Sequence, residues 1–143
     1  MFELPLAGLC VGEFNQKPIR LDLDPGMPPI TTDAERLRQA LVNILDNAVQ
    51  AVAGREADVR LRTMRIDGRR LAIVVTDTGS GIAPEDLPRL FDPYFTTRRT
   101  GTGIGLAISR NIIDGLGGRI TVNSARDRGT EVRIELPLDP ANA

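Results

Sequence analysis

Residues 71–82 read LAIVVTDTGSGI. The first five form an unbroken apolar run, which predicts a strand buried on both faces and therefore central in its sheet. The strand ends at Asp77, followed by Gly79-Ser80-Gly81, so a carboxylate stands at a pocket wall with tight backbone beside it. Upstream, residues 57–66 make a second strand, joined to the first through Asp67-Gly68, a hairpin turn signal. Further back, KPIRLDL (17–23) alternates like a strand, and the proline-rich DPGMPP (24–29) breaks it. Thr32 or Asp33 then caps a helix through about Ala53, ended by Gly54. Downstream, Pro84 opens a short helical turn ending near Leu90, and a helix over about 103–116 stops at Gly115, Gly117 and Gly118. RITVNSA (119–125) and TEVRIELP (130–137) close the chain as a hairpin across the Asp127–Gly129 turn. This order of elements predicts an α/β sandwich, with helices packed on one face of a mixed sheet.

Asp77-Thr78-Gly79-Ser80 after apolar residues is also the signature of aspartic proteases. Such an enzyme needs two aspartates sharing one proton, from a second copy in the chain or from a homodimer. The chain has no second copy, and residues 33–53 are strongly helical where that fold is nearly all β. The peptidase reading is therefore set aside.

Composition bounds the rest. With 143 residues, 41% hydrophobic and 26% charged, the chain is one globular domain long enough to bury a core. A net charge of -1, four Phe, one Tyr and no Trp give no reason to expect nucleic acid. The single cysteine, Cys10, excludes an internal disulfide and fits a reducing compartment. No apolar run reaches the roughly 18–20 residues of a membrane span. MFELPLAGLC faintly suggests a lipoprotein signal, but Glu3, Leu9 and the lack of a basic start argue against it.

FDPYFTTRRTGTGIGLAIS (91–109) is the other unusual stretch. From Thr96 to Gly105 it holds four threonines, three glycines and two arginines, with an apolar helical run directly after. Glycines before a helix let main-chain amides approach a phosphate, and the helix dipole favours the anion. A Walker loop is excluded, because the only lysine is Lys17. The dinucleotide pattern fails too: Gly101-Thr-Gly-Ile-Gly105 is followed by Leu106, and no strand precedes it directly. An ordinary surface loop is the competing interpretation.

On the long helix, Leu37, Leu41, Ile44, Leu45, Ala48 and Val52 form the buried arc, opposite Arg36, Gln39, Asn43, Asp46, Asn47 and Gln50. Asparagine costs about 0.5 kcal/mol inside a helix, so Asn43 and Asn47, four apart on one face, want another reason. Neutral amide oxygens suit a hard cation that already carries phosphate ligands.

In order and spacing these segments resemble one family: the catalytic ATP-binding domain of sensor histidine kinases, within the GHKL ATPase superfamily. The resemblance runs from about Lys17 to Leu138. It covers an N box (Asp33-Ala-Glu-Arg-Leu and Asn43-Ile-Leu-Asp-Asn47-Ala), a first glycine box (Asp77-Thr-Gly-Ser-Gly-Ile82) and an F box (Phe91-Asp-Pro-Tyr-Phe-Thr-Thr97). A second glycine box (Gly101-Thr-Gly-Ile-Gly-Leu-Ala107) and Gly129-Thr130 before the last strand complete it. The resemblance implies a Bergerat-type fold, a mixed, mostly antiparallel sheet of about five strands with about three helices on one face. Residues 17–138 would be the domain, 1–16 a lead-in from an upstream region and 139–143 a tail.

The cofactors implied are ATP and Mg2+. Asp77 would select adenine by accepting from its exocyclic amine, helped by Thr130 through water. Gly79 and Gly81 would let the ring lie against backbone, between apolar walls at Ile82 and Leu106. Asn47 would bind magnesium, with Asn43 beside it. Asp92 to Thr102 would be an ATP lid anchored by Phe91 and Phe95 and carrying Thr96 and Thr97. Gly101, Thr102, Gly103 and Gly105 would meet the phosphates. Arg98 would contact the γ-phosphate, where a lysine is common in the family, and with Asn43 and Asn47 it makes up the catalytic set. Superfamily members that hydrolyse ATP carry a glutamate base where this helix has Asn43; an amide cannot deprotonate water, which favours transfer over hydrolysis.

With no histidine in the chain, the phosphoacceptor must lie elsewhere. The partners implied are a histidine-containing dimerisation domain and a downstream response regulator. The isolated domain is expected to be monomeric and cytoplasmic, whether or not the full-length protein is membrane-anchored. Gln50 and Ala51 stand where many members carry a basic and an aromatic residue, and the short lid resembles the nitrogen-regulation kinases. A serine kinase or anti-sigma factor on the same fold, and a nucleotide sensor without transfer activity, remain as alternatives.

Overall fold

The computed structural model describes residues 2–4, 19–52, 58–79, 81–82, 84–89, 91, 105–125 and 128–139. Its elements are β1 (Phe2–Leu4), β2 (Ile19–Asp22), β3 (Ile30–Thr32), α1 (Ala34–Val52), β4 (Val59–Arg65), β5 (Arg70–Asp77), a 3-10 turn (Leu87–Arg89), α2 (Gly105–Gly115), β6 (Arg119–Ala125) and β7 (Gly129–Pro137). The main sheet has five strands in the order β2-β4-β5-β7-β6. Only β2 and β4 run parallel; the other pairs are antiparallel. The α/β sandwich and its mixed sheet therefore follow the expectation. Of the three expected helices, the described residues contain two α-helices and, in place of a third, the single 3-10 turn.

The apolar run of β5 explains why it is central. Leu71, Ile73 and Val75 face α1 and α2 and join Leu37, Leu41, Ile44, Leu45 and Ile113 in the core. Ala72 and Val74 lie on the other face yet are only 0% and 4% exposed. Their strand neighbours there are Met64 and Glu135, and Arg62 and Arg133. Long stems of this kind cover small apolar side chains while their charged ends reach water. The ends are paired: Arg133 with Glu135 at 3.1 Å, and Arg62 with Asp22 on β2 at 3.6 Å.

Local signals account for the element ends. Asp33, not Thr32, caps α1: its carboxylate accepts the Arg36 N–H at 3.3 Å, and its carbonyl accepts from Leu37. The β4–β5 turn is held by the Asp67 carboxylate, which accepts from the amides of Arg69 (2.7 Å) and Arg70 (3.0 Å). At the end of α2, Gly118 N–H returns to the carbonyl of Ile113, closing the last turn.

One feature was not anticipated. β1 and β3 pair antiparallel as a separate two-stranded sheet, Phe2 opposite Thr32. Three residues are too few for a periodic pattern to register. Ile30 is nonetheless fully buried, and Thr31 N–H reaches the carbonyl of Leu138 at 2.8 Å. Leu138 in turn donates to the Arg69 carbonyl, so the start of α1 is tied to the beginning of β5. Among the described residues no helix is long and apolar enough to cross a membrane.

Candidate functional site

β5 leaves the core at Asp77, and register places three polar residues there in one row. Asp77 stands opposite Thr130 on β7, and Thr130 stands opposite Ser124 on β6. Alternation puts all three on the helix side of the sheet, in line with Val75, Val132 and Val122. Asp77 is buried, and its carboxylate accepts the N–H of Gly79 at 2.9 Å, which turns the chain sharply after the strand. Thr78 is pinned on the neighbouring side: its N–H donates to the Asp58 carbonyl at 3.1 Å, and its hydroxyl accepts the Asp58 N–H at 2.8 Å.

Two glycines are required by the backbone around this row. Gly129 has φ 106°, and a Cβ there would lie 2.0 Å from the Asp77 carbonyl oxygen, so β7 approaches β5 as no side-chain-bearing residue could. Gly81 has φ 72°, which brings Ile82 N–H onto the Ser124 hydroxyl at 2.8 Å. The first glycine segment is thereby fastened to the last hairpin.

On α1, Asn43 and Asn47 share one face and are half-buried, as is Asp46 between them. α1 packs on α2 and β5. The contact with α2 includes a buried hydrogen bond from the Ser109 hydroxyl to the carbonyl of Ala40 at 3.2 Å. It sits one turn before Asn43 and fixes the start of α2 relative to the asparagine face. Gly105 opens α2, and Leu106 is half-buried against the core. Phe91 is also half-buried against the core, and the Arg110 guanidinium lies 5.1 Å from its ring centre. Arg110 also approaches Asp114, one turn on, at 4.0 Å.

Of the residues singled out from the sequence, Asp77, Gly79, Gly81, Ile82 and Thr130 gather at the end of β5, and Asn43 and Asn47 lie together on α1. Gly105 and Leu106 lie at the start of α2. Phe95, Thr96, Thr97, Arg98, Gly101, Thr102 and Gly103 lie outside the described residues, as does the whole lid from Asp92 to Thr102. Ser124 was missed. The signal was available: counting by twos from Val122 puts a hydroxyl on the core face, beside Thr130 across the turn.

No three His, Cys, Asp or Glu residues among the described ones cluster as a metal site. Asn43 and Asn47 offer neutral amide oxygens, the donors a divalent cation takes when its ligand brings the charged ones. The residues present fit such an ion.

The family model for histidine kinase-, DNA gyrase B- and HSP90-like ATPases matches residues 32–140. The sensor histidine kinase ZraS of Salmonella typhimurium is 40% identical over 120 residues, covering 84% of this chain and 26% of its own length. The chain thus spans about a quarter of that relative. Among solved structures, histidine kinase ThkA in complex with the response regulator TrrA superposes with a TM-score of 0.80 at 26% identity, covering 99% of this chain and 43% of that one. Full-length ShkA in complex with AMPPNP gives 0.78 at 31% identity, covering 95% and 30%.

Proposed function

We propose, from the premise that the chain belongs to the histidine kinase-, DNA gyrase B- and HSP90-like ATPase family as the ATPase domain of a sensor kinase, that it binds Mg-ATP and passes the γ-phosphoryl to a histidine on another domain. The observation that carries this reading is the buried Asp77 carboxylate at the end of β5, braced by Gly79 and facing Thr130. It is an acceptor in a tight, partly apolar corner, suited to the exocyclic amine of adenine. Gly79 and Gly81 leave room for the ring, and Ile82 and Leu106 supply apolar walls.

From there the triphosphate runs toward the α1 face and the start of α2. Asn47, assisted by Asn43, would hold the magnesium ion, which neutralises phosphate charge when bound. Amides at the start of α2 and in Gly101, Thr102 and Gly103 present donors to the phosphates. Arg98 takes the γ-phosphate. Residues 92–102, with Phe95, Thr96 and Thr97, close over the nucleotide and open for the acceptor. Asn43 stands where hydrolysing members of the superfamily carry a glutamate base, and an amide cannot take a proton from water, so transfer by positioning outruns hydrolysis. The neighbour solved with a response regulator supports such a protein as the downstream partner.

The test is transfer itself. The chain, mixed with a histidine-bearing helical hairpin from a sensor kinase and ATP labelled at the γ-position, should yield acid-labile phosphohistidine that requires magnesium. Label on serine of an added partner, or nucleotide binding with no label on any protein, would contradict the reading.

A further inference from the structure

Ser124 lies outside every motif read from the sequence, yet it joins three parts of the site. Its hydroxyl meets the Ile82 N–H at 2.8 Å, the Gly129 carbonyl at 2.9 Å and the Thr130 hydroxyl at 2.8 Å. The sense of the first two contacts is fixed, since an amide can only donate and a carbonyl can only accept. A serine hydroxyl has one proton and two lone pairs. Ile82 occupies one lone pair and Gly129 takes the proton. The third contact is then possible only with Thr130 donating into the remaining lone pair. The Thr130 proton is thereby committed to Ser124, and Thr130 has only lone pairs left to offer beside Asp77.

We infer that Ser124 is a positioning residue for base selectivity: by holding Thr130 as a pure acceptor, it makes the purine end of the site recognise an amino group and refuse an oxo group. The inference rests on the proposed placement of the base against Asp77. With Thr130 meeting the base directly, and not through the water expected from the sequence, a 6-amino purine brings two N–H donors to Asp77 and Thr130. A 6-oxo purine brings an oxygen, which meets two acceptors with no proton between them. A hydroxyl free to rotate would relieve that clash by donating, and the Gly129 carbonyl prevents it by drawing the Ser124 proton away from Thr130.

The experiment compares dissociation constants of ATP and inosine triphosphate, which differ in the base at position 6 and in the proton on N1, for the wild-type chain and four variants. Ser124→Ala frees the Thr130 hydroxyl. It should narrow the inosine-to-adenosine ratio by about fivefold, the worth of one hydrogen bond. Ser124→Thr restores the hydroxyl and should restore the ratio. Thr130→Val should narrow the ratio alone, and adding Ser124→Ala to it should change the ratio no further. Equal weakening of both nucleotides by Ser124→Ala would make the hydroxyl a mere brace and overturn the inference. If Ser124→Ala does not fold, an unchanged ratio in Thr130→Val overturns it instead. A wild-type chain that binds both nucleotides equally, or neither, would remove the placement of the base and the inference with it. Wild-type discrimination that survives in Ser124→Ala would remove the inference alone.

Discussion

The two ends of the candidate site are built differently. At the end of β5 the backbone does the shaping: Gly129 against Asp77, Gly79 onto the Asp77 carboxylate, and Ile82 and Thr130 onto Ser124. On α1 the shaping is left to two side chains, Asn43 and Asn47, on a helix held by its apolar opposite face and by the Ser109 bond to Ala40. A single change at the first end should therefore disturb the fold and the ligand together. A change at the second should alter ligand chemistry and leave the fold intact.

The largest effect is expected at the point where the strands approach closest. Gly129→Ala drives a methyl group into the Asp77 carbonyl at a backbone angle that L-residues avoid. It should cost about 3 kcal/mol or more, lowering Tm by roughly 10 °C or preventing folding. Thermal unfolding followed by circular dichroism measures it; a wild-type Tm would break the contrast. Next is Asp77→Ala, which should weaken ATP by about 100-fold or beyond detection through the loss of a buried charged acceptor. Undiminished affinity in a calorimetric titration would remove Asp77 from the site.

Asn47→Ala sharpens the other side. The variant should unfold like the wild type and bind metal-free ATP as well, while the gain in affinity on adding magnesium disappears. If instead magnesium still tightens ATP in Asn47→Ala, the ion is held elsewhere. The smallest effect belongs to a residue outside both ends. Asp33→Ala removes the α1 cap and should cost about 1 kcal/mol, a fall of roughly 3 °C in Tm, with ATP affinity unchanged.

The same contrast governs how much was legible in the sequence. The centrality of β5 followed from LAIVV, and the buried arc of α1 from its spacing; Leu37, Leu41, Ile44, Leu45 and Ala48 are all buried. Val52 is only partly so, being in the last turn. The choice between Thr32 and Asp33 as cap could not be made from residue type, because both cap well. It is decided by β3, which takes Thr32 as a strand residue. β3 itself was hidden because its three residues follow a proline-rich break and its partner, β1, is an equally short strand at the start of the sequence. Asp77 and Gly79 stood out because a carboxylate and a glycine are unusual directly after a buried apolar strand, whereas Thr130, an ordinary strand residue, entered only through the family resemblance. The place of Ser124 on the core face could be counted from Val122, but its role could not, because that depends on the sense of three hydrogen bonds that only the fold assembles.

Calorimetric titration of the folded wild-type chain with ATP, with and without magnesium, is the most direct test. Saturable one-site binding is expected in both conditions, tighter with the metal. A folded sample that gives no heat and no rise in Tm at millimolar nucleotide would contradict it.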